Sequence, residues 1–234
     1  MLLTIYDQVK GGPHLGINHD KIVSYLDSLI LPRDEIITKM EKLAEKENVP
    51  IMDLVGMETL LQLLRLSRPE RILEIGAAIG YSSIRMATAL PDAKVVTIER
   101  DEIRYKQAEE HIKETGLTEN IQLVFGDALE VFELIEKEGP YDFIFIDAAK
   151  GQYEKFFTMY EPLLAENGVI ITDNVLFKGL VAEAYETVEP KRIRNLVKKI
   201  DHFNQWLMKH PDYVTSILPV GDGIAISKRR GERR

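Results

Sequence analysis

From Arg71 onward the chain alternates short apolar runs with stretches of helical spacing, and this alternation restricts the possible folds more than any other property of the sequence. The runs are Arg71–Ile75, Lys94–Glu99, Ile121–Phe125, Tyr141–Ile146 and residues 168–172. Helical patterns fill the gaps, as over residues 101–115 and 152–165. Strands joined by crossover helices form a parallel sheet covered on both faces. Ligands of such sheets belong beyond the carboxyl ends of the strands. The ending departs from the pattern: residues 213–220 and 223–228 flank Gly221-Asp222, which predicts a hairpin in place of another crossover. The expected fold class is α/β, with seven strands, mostly parallel, finished by an antiparallel C-terminal hairpin.

Upstream, the spacing of Ile22, Leu26, Leu29 and Ile30 predicts an amphipathic helix opened by Asn18 or Asp20 and ended by Pro32. A second helix is expected over about 34–46, and a third carries Met57, Leu60, Leu61 and Leu64. No linker follows them. Residues 18–66 therefore read as a helical cap on a core of residues 71–228, within a single domain over 18–234, and residues 1–17, with Gly11-Gly12-Pro13, read as a leader.

With 234 residues, 45% apolar and 29% charged, the chain can bury one sizeable core. It has no cysteine, which excludes disulfides and thiolate metal sites and fits a cytoplasmic protein. Its first residues lack the basic and apolar regions of a signal peptide, and no run reaches the ~18 apolar residues of a membrane helix. A net charge of −8 argues against wholesale wrapping by nucleic acid. Positive charge is nonetheless concentrated locally: Lys191, Arg192, Arg194, Lys198 and Lys199 fall on one predicted helix, and Lys228, Arg229, Arg230, Arg233 and Arg234 crowd the C-terminus. Either cluster is a solvated face or a phosphate-binding surface.

The strand ends carry the chemistry. Glu74-Ile75-Gly76-Ala77-Ala78-Ile79-Gly80-Tyr81-Ser82 is a glycine turn opening a helix, where backbone approaches a ligand closely. A dinucleotide fingerprint would require glycine at Ala78, so a pyrophosphate turn is disfavoured. Glu99 ends the second strand, 23 residues after Gly76, where a carboxylate accepts ribose hydroxyls. The third strand ends in Gly126-Asp127-Ala128, which puts a carboxylate beside the adenine position and favours S-adenosylmethionine. The last two strands of the core end in Asp147-Ala148-Ala149-Lys150 and Asp173-Asn174. Oxygen-only donors at neighbouring strand ends suit a hard cation such as Mg2+ rather than zinc. Each acid taken singly also reads as an exposed turn residue or a helix cap. His111, His202 and His210 lack metal-ligand spacing.

The segments E-I-G-A-A-I-G-Y-S, I-E-R, G-D-A, F-I-D-A-A-K-G-Q-Y and I-T-D-N-V-L-F-K-G resemble the cation-dependent O-methyltransferase family that includes catechol and caffeoyl-CoA methyltransferases, over roughly residues 18–228. The likeness is fullest to members that act on 5-hydroxyuridine in bacterial tRNA, through D-N-V-L-F-K-G-L-V-A-E, E-P-K-R-I-R, W-L-M-K-H-P-D-Y and P-V-G-D-G-I-A-I-S-K. The resemblance implies a Rossmann-like class I methyltransferase fold. It also implies a metal on Asp147, Asp173 and Asn174, either Mg2+ or Mn2+ or Ca2+ in its place. Cofactor contacts would come from Met57, Glu74, Gly76, Ser82, Glu99, Gly126, Asp127, Ala128 and Asp147, and the base would be Lys150. It further implies a homodimer and a tRNA substrate methylated at an anticodon 5-hydroxyuridine. Lys191, Arg192, Arg194, Lys198 and Lys199 are then the expected RNA contacts, and Phe177, Tyr185 and Trp206 are candidates to stack on a base, although packing suits Trp206 better. The rival acceptor is a free catechol-like phenol. A non-catalytic nucleotide- or RNA-binding module is the reading from another class, and it leaves Asp147, Lys150, Asp173 and Asn174 without a purpose.

Overall fold

The computed structural model describes residues 20–231; the expected leader, residues 1–17, lies outside them. Helices α1 (Asp20–Leu29), α2 (Glu35–Glu47) and α3 (Leu54–Ser67) precede the sheet. Then β1 (Arg71–Ile75), α4 (Tyr81–Ala89), β2 (Lys94–Glu99), α5 (Glu102–Glu114), β3 (Ile121–Phe125), α6 (Phe132–Glu136), β4 (Tyr141–Ile146), α7 (Tyr153–Tyr160) and β5 (Leu164–Thr172) alternate as the spacing predicts. Helix α8 (Lys191–Lys209) and the hairpin of β6 (Tyr213–Leu218) and β7 (Ile224–Arg229) complete the fold. The strand order is β3-β2-β1-β4-β5-β7-β6, and only the pairs β5–β7 and β6–β7 are antiparallel.

The period of two along each strand divides the interior into two cores. Ile72, Phe143, Phe145 and Ile171 face one core with Met40, Met57, Leu60 and Leu64 from α2 and α3. Leu73, Ile75, Ile144, Ile146 and Ile170 face the other, with Phe157, Phe203 and Leu207 from α7 and α8. Helices α2 and α3 thus share a core with the sheet. Asp53 opens α3 by accepting from the Gly56 N–H at 2.9 Å, and Asp101 opens α5 by accepting from the N–H groups of Ile103 and Arg104.

The boundaries around β5 differ most from the sequence expectation. The helix predicted to reach residue 165 stops at Tyr160 because Pro162 cannot continue it, and a short 3-10 turn follows over Glu161–Leu163. Strand β5 accordingly starts earlier, with a register shift against β4 between Tyr141 and Phe143. Gly168 lies where this irregularity brings the chain onto β4: a Cβ there would stand 3.0 Å from the Asp142 carbonyl.

Candidate active site

Parallel strands β1 to β5 end on one edge of the sheet, and the segments leaving β1 to β4 enclose a cavity of about 260 Å3. Gly76, Ser82, Glu99, Gly126, Asp127, Ala128, Asp147, Lys150 and Asn174 all line it. The turn after β1 has to be glycine. Gly76 adopts φ +104, and a Cβ on it would stand 2.2 Å from the Asp147 carbonyl oxygen. That same turn aims Glu99: the Ala78 N–H donates to Oε2 at 2.8 Å and the Asp101 N–H to Oε1 at 2.7 Å. Both carboxylate oxygens are fixed by backbone and keep lone pairs for hydroxyl donors in the cavity. Asp127 is held similarly, its Oδ1 accepting from the Leu129 N–H at 2.9 Å.

Two residues expected at the cofactor are not among those lining the cavity. Glu74 shares the strand parity of Ile72 and is fully buried beneath the cavity-lining Ser82 of α4. There it accepts from Ser82 Oγ and, at 2.5 Å, from Thr97 Oγ1 of the register-paired position on β2. Burial pushes its carboxyl up to about 7 against the two hydroxyl donors, and the charges of Asp147 and Glu99 push the same way. Met57 is fully buried in the core of α3, and the methionine on the cavity wall is Met52, in the loop with Pro50 and Ile51. Tyr81 and Arg100 also line the cavity, and sequence reasoning missed them. Tyr81 was visible as the residue opening α4, but the network that holds it was not. Its hydroxyl donates to Glu41 on α2 at 2.9 Å and accepts from Arg85, which pairs with Glu58 on α3.

At the ends of β4 and β5, ladder continuation sets two aspartates side by side. The Asp147 N–H donates to Ile75 O at 3.0 Å and the Asp173 N–H to Ile146 O at 3.1 Å. Asn174 then turns the chain at φ 61, a left-handed conformation that asparagine tolerates better than most residues. Its Nδ2 donates to Asp173 Oδ2 at 2.5 Å, which leaves the amide oxygen for another partner. Tyr153 Oη donates to the Asp173 carbonyl at 2.9 Å and fixes that backbone. Burial raises the carboxyl of Asp147 and raises that of Asp173 further, where the neighbouring Asp147 charge adds to it; Lys150 opposes both shifts.

Among the described residues no three His, Cys, Asp or Glu side chains converge as a metal-binding group. The candidate set is two carboxylates and one amide. It fits a hard divalent cation, because the buried Asp173 and the cavity-lining Asp147 repel each other and the single charge of Lys150 cannot neutralise both.

Lys150 also lines a second, open groove of about 1040 Å3 with Lys155, Lys198 and Lys199. Lys191, Arg192 and Arg194 line neither cavity. The Arg194 guanidinium is engaged with Val188 O at 3.0 Å and with Glu189. Of the aromatic candidates, Trp206 packs between Phe157, Phe203 and His210, with ring centroids 4.7 to 5.9 Å apart. Tyr185 is bound to Asp201, and neither it nor Phe177 lines the cavity or the groove. His111 and His210 are occupied with Ile79 O and the Asp212 N–H, and His202 faces Glu154 at 3.5 Å.

The fold has known counterparts. A caffeoyl-CoA O-methyltransferase from Medicago sativa is 31% identical over 237 residues, covering 95% of this chain and 96% of that one. A Staphylococcus aureus crystal structure, provisionally assigned as a caffeoyl-CoA O-methyltransferase, superposes with a TM-score of 0.85 at 40% identity, over 90% of this chain and 100% of that one. The Streptomyces achromogenes O-methyltransferase TomG, solved in complex with S-adenosylmethionine, gives a TM-score of 0.76 at 27% identity, over 90% and 96%. The profile of the O-methyltransferase family matches residues 28–230. Because that match runs through all seven strands and every segment lining the cavity, the shared feature is the entire fold, and the chain belongs to the O-methyltransferase family.

Proposed function

We propose that the protein transfers the methyl group of S-adenosylmethionine to one of two neighbouring oxygens on an acceptor bound beside a divalent cation, Mg2+ in the first instance. The acceptor in this reading is 5-hydroxyuridine of a tRNA anticodon, and the product is 5-methoxyuridine. The observation that carries the proposal is that Asp147, Lys150 and Asn174 share a single cavity with Glu99 and Asp127. In this reading Glu99, held by the Ala78 N–H, accepts the ribose hydroxyls, Asp127 meets the adenine side, and the Gly76 backbone lies against the ligand. Asp147, Asp173 and Asn174 would hold the cation, which when bound lowers the pKa of a coordinated hydroxyl. Lys150 Nζ takes the acceptor's hydroxyl proton as that oxygen gains the methyl group. The TomG complex supports the choice of methyl donor.

The tRNA acceptor rests on the lysines of α8 that reach the groove beside Lys150. A phenolic acceptor is the second reading, favoured by the name of the Medicago sativa relative. A cytoplasmic homodimer is also part of the proposal. Among the described residues no helix is long and apolar enough to cross a membrane, and α1 exposes Val23, Tyr25, Leu26 and Leu29.

The deciding assay follows labelled methyl groups from S-adenosylmethionine into tRNA bearing 5-hydroxyuridine, into caffeoyl-CoA and into catechol, with and without EDTA. EDTA-sensitive 5-methoxyuridine is the expected product. Label in the phenols alone would replace the acceptor, and transfer undiminished by EDTA would refute the cation's role. Lys150→Ala should lower kcat by about 10^2 to 10^4 if it is the base; a normal kcat across the pH range would remove it from that role.

A further inference from the structure

The groove beside Lys150 has a charge pattern that catalysis alone does not require. Besides the proposed base Lys150, three further lysines, Lys155, Lys198 and Lys199, line one concavity in a chain of net charge −8. Among the described residues none of these three makes an ion pair with a carboxylate. The one carboxylate in the groove wall, Glu154, faces His202. Asp201, the nearest acid along α8, is occupied by the Tyr185 hydroxyl and by Gln205 Nε2.

The heads are also positioned. Lys199 lies against Gly151, where a Cβ would stand 3.4 Å from its Cδ and 3.6 Å from its Nζ, so the missing side chain gives the lysine its path to the loop carrying Lys150. Lys198 Nζ sits 5.2 Å over the Tyr185 ring, which orients it without neutralising it. Lys155 donates to Gln152 Oε1 at 3.0 Å and keeps further donors. Buried Val197 and Ile200 on either side pin this stretch of α8 to the core. Unpaired, preoriented ammonium groups around a cavity are an anion site. The groove joins the cofactor cavity through Ala149 and Lys150, so the anion held there belongs to the acceptor.

We infer that this groove is a phosphate-docking site of the methyl acceptor, built by Lys155, Lys198 and Lys199, and that the start of α8, with Lys191 and Arg192, is not. The inference rests on the methyl-transfer reading above. Its ligand chemistry is a phosphate ester, either in the RNA backbone flanking the target uridine or in the phosphates of a coenzyme A thioester. Lys191 precedes Lys198 by seven residues, about 10 Å along the helix, which puts it beyond the groove.

The test compares wild type with Lys198→Gln/Lys199→Gln and with Lys191→Gln/Arg192→Gln. It reads kcat/KM for each phosphate-bearing acceptor relative to its phosphate-free counterpart: 5-hydroxyuridine tRNA against the 5-hydroxyuridine nucleoside, and caffeoyl-CoA against catechol. For the RNA, a salt titration of binding by fluorescence anisotropy is added. The groove variant should lower the ratio at least tenfold and reduce the slope of log affinity against log salt by about one per lysine removed. The Lys191/Arg192 variant should move both less. An unchanged ratio in the groove variant, or a larger fall in the Lys191/Arg192 variant, overturns the site. If wild type uses the coenzyme A thioester and not the RNA, the tRNA reading fails, while the ratio of caffeoyl-CoA to catechol still decides the groove.

Discussion

Gly76 is the position where fold and site meet, and replacing it with alanine tests whether the close approach of β1 and β4 is as tight as the geometry says. An alanine Cβ would stand 2.2 Å from the Asp147 carbonyl oxygen and 2.9 Å from its carbon, at a backbone φ of +104. Contacts below 3.0 Å do not persist, so one strand end must move by almost an ångström. The Asp147 N–H to Ile75 O hydrogen bond of 3.0 Å spans that gap and would stretch with it. The conformational cost is about 1 to 3 kcal/mol, the displacement of a packed segment costs about 1 to 3 kcal/mol, and loss of the bridging bond costs about 1 kcal/mol. A net destabilisation of about 3 to 7 kcal/mol is therefore expected, a large fraction of a typical folding free energy. Gly116 supplies the control. It sits at φ +70 after α5, and a Cβ added there would meet nothing within 4 Å, so Gly116→Ala should cost only the left-handed conformation, about 1 to 2 kcal/mol. Urea denaturation of both variants separates the two contributions. Equal losses would show that the approach to Asp147 costs nothing and would refute the packing argument.

Further predictions concern protons, caps and the acid pair. Glu74 has a folded-state carboxyl near 7, raised by burial, so its contribution to stability is complete below about 4.5 and disappears as pH rises through about 7. That contribution is on the order of 3 kcal/mol, and Glu74→Gln should flatten the pH dependence of unfolding over that window, whereas an unchanged slope would mean the carboxyl titrates normally. Asp53→Ala removes the α3 cap and should cost about 0.5 to 2 kcal/mol by thermal or urea unfolding; no loss would mean the Gly56 N–H finds another partner. Asp173→Asn should weaken divalent-cation binding in calorimetry while raising the stability of the metal-free protein at neutral pH, since it removes a buried carboxylate repelled by Asp147. Lower metal-free stability in that variant would contradict the repulsion.

What the sequence determined was the order of elements and the residues at the strand ends. Period-two apolar runs such as Tyr141–Ile146 and helical spacing between them are local properties, and each acid closing a run is read directly off the chain. Asn174 is legible for the same reason, because one residue type serves both a left-handed turn and an oxygen donor. The length of β5 was less legible, since its irregular first half is set by pairing with β4 rather than by its own composition. Strand parity, once known, buries Glu74 against Ser82 and Thr97, and only the packing of α3 settles that Met52 and not Met57 reaches the wall. The same holds for the basic helix. Its five cations are equivalent in sequence, but docking of α8 brings Lys198 and Lys199 beside Lys150 and leaves Lys191 and Arg192 outside, with Arg194 bound to its own loop. Local patterns report what a segment prefers, whereas which face a side chain meets depends on contacts between residues far apart in the chain, and those exist only after the sheet has formed.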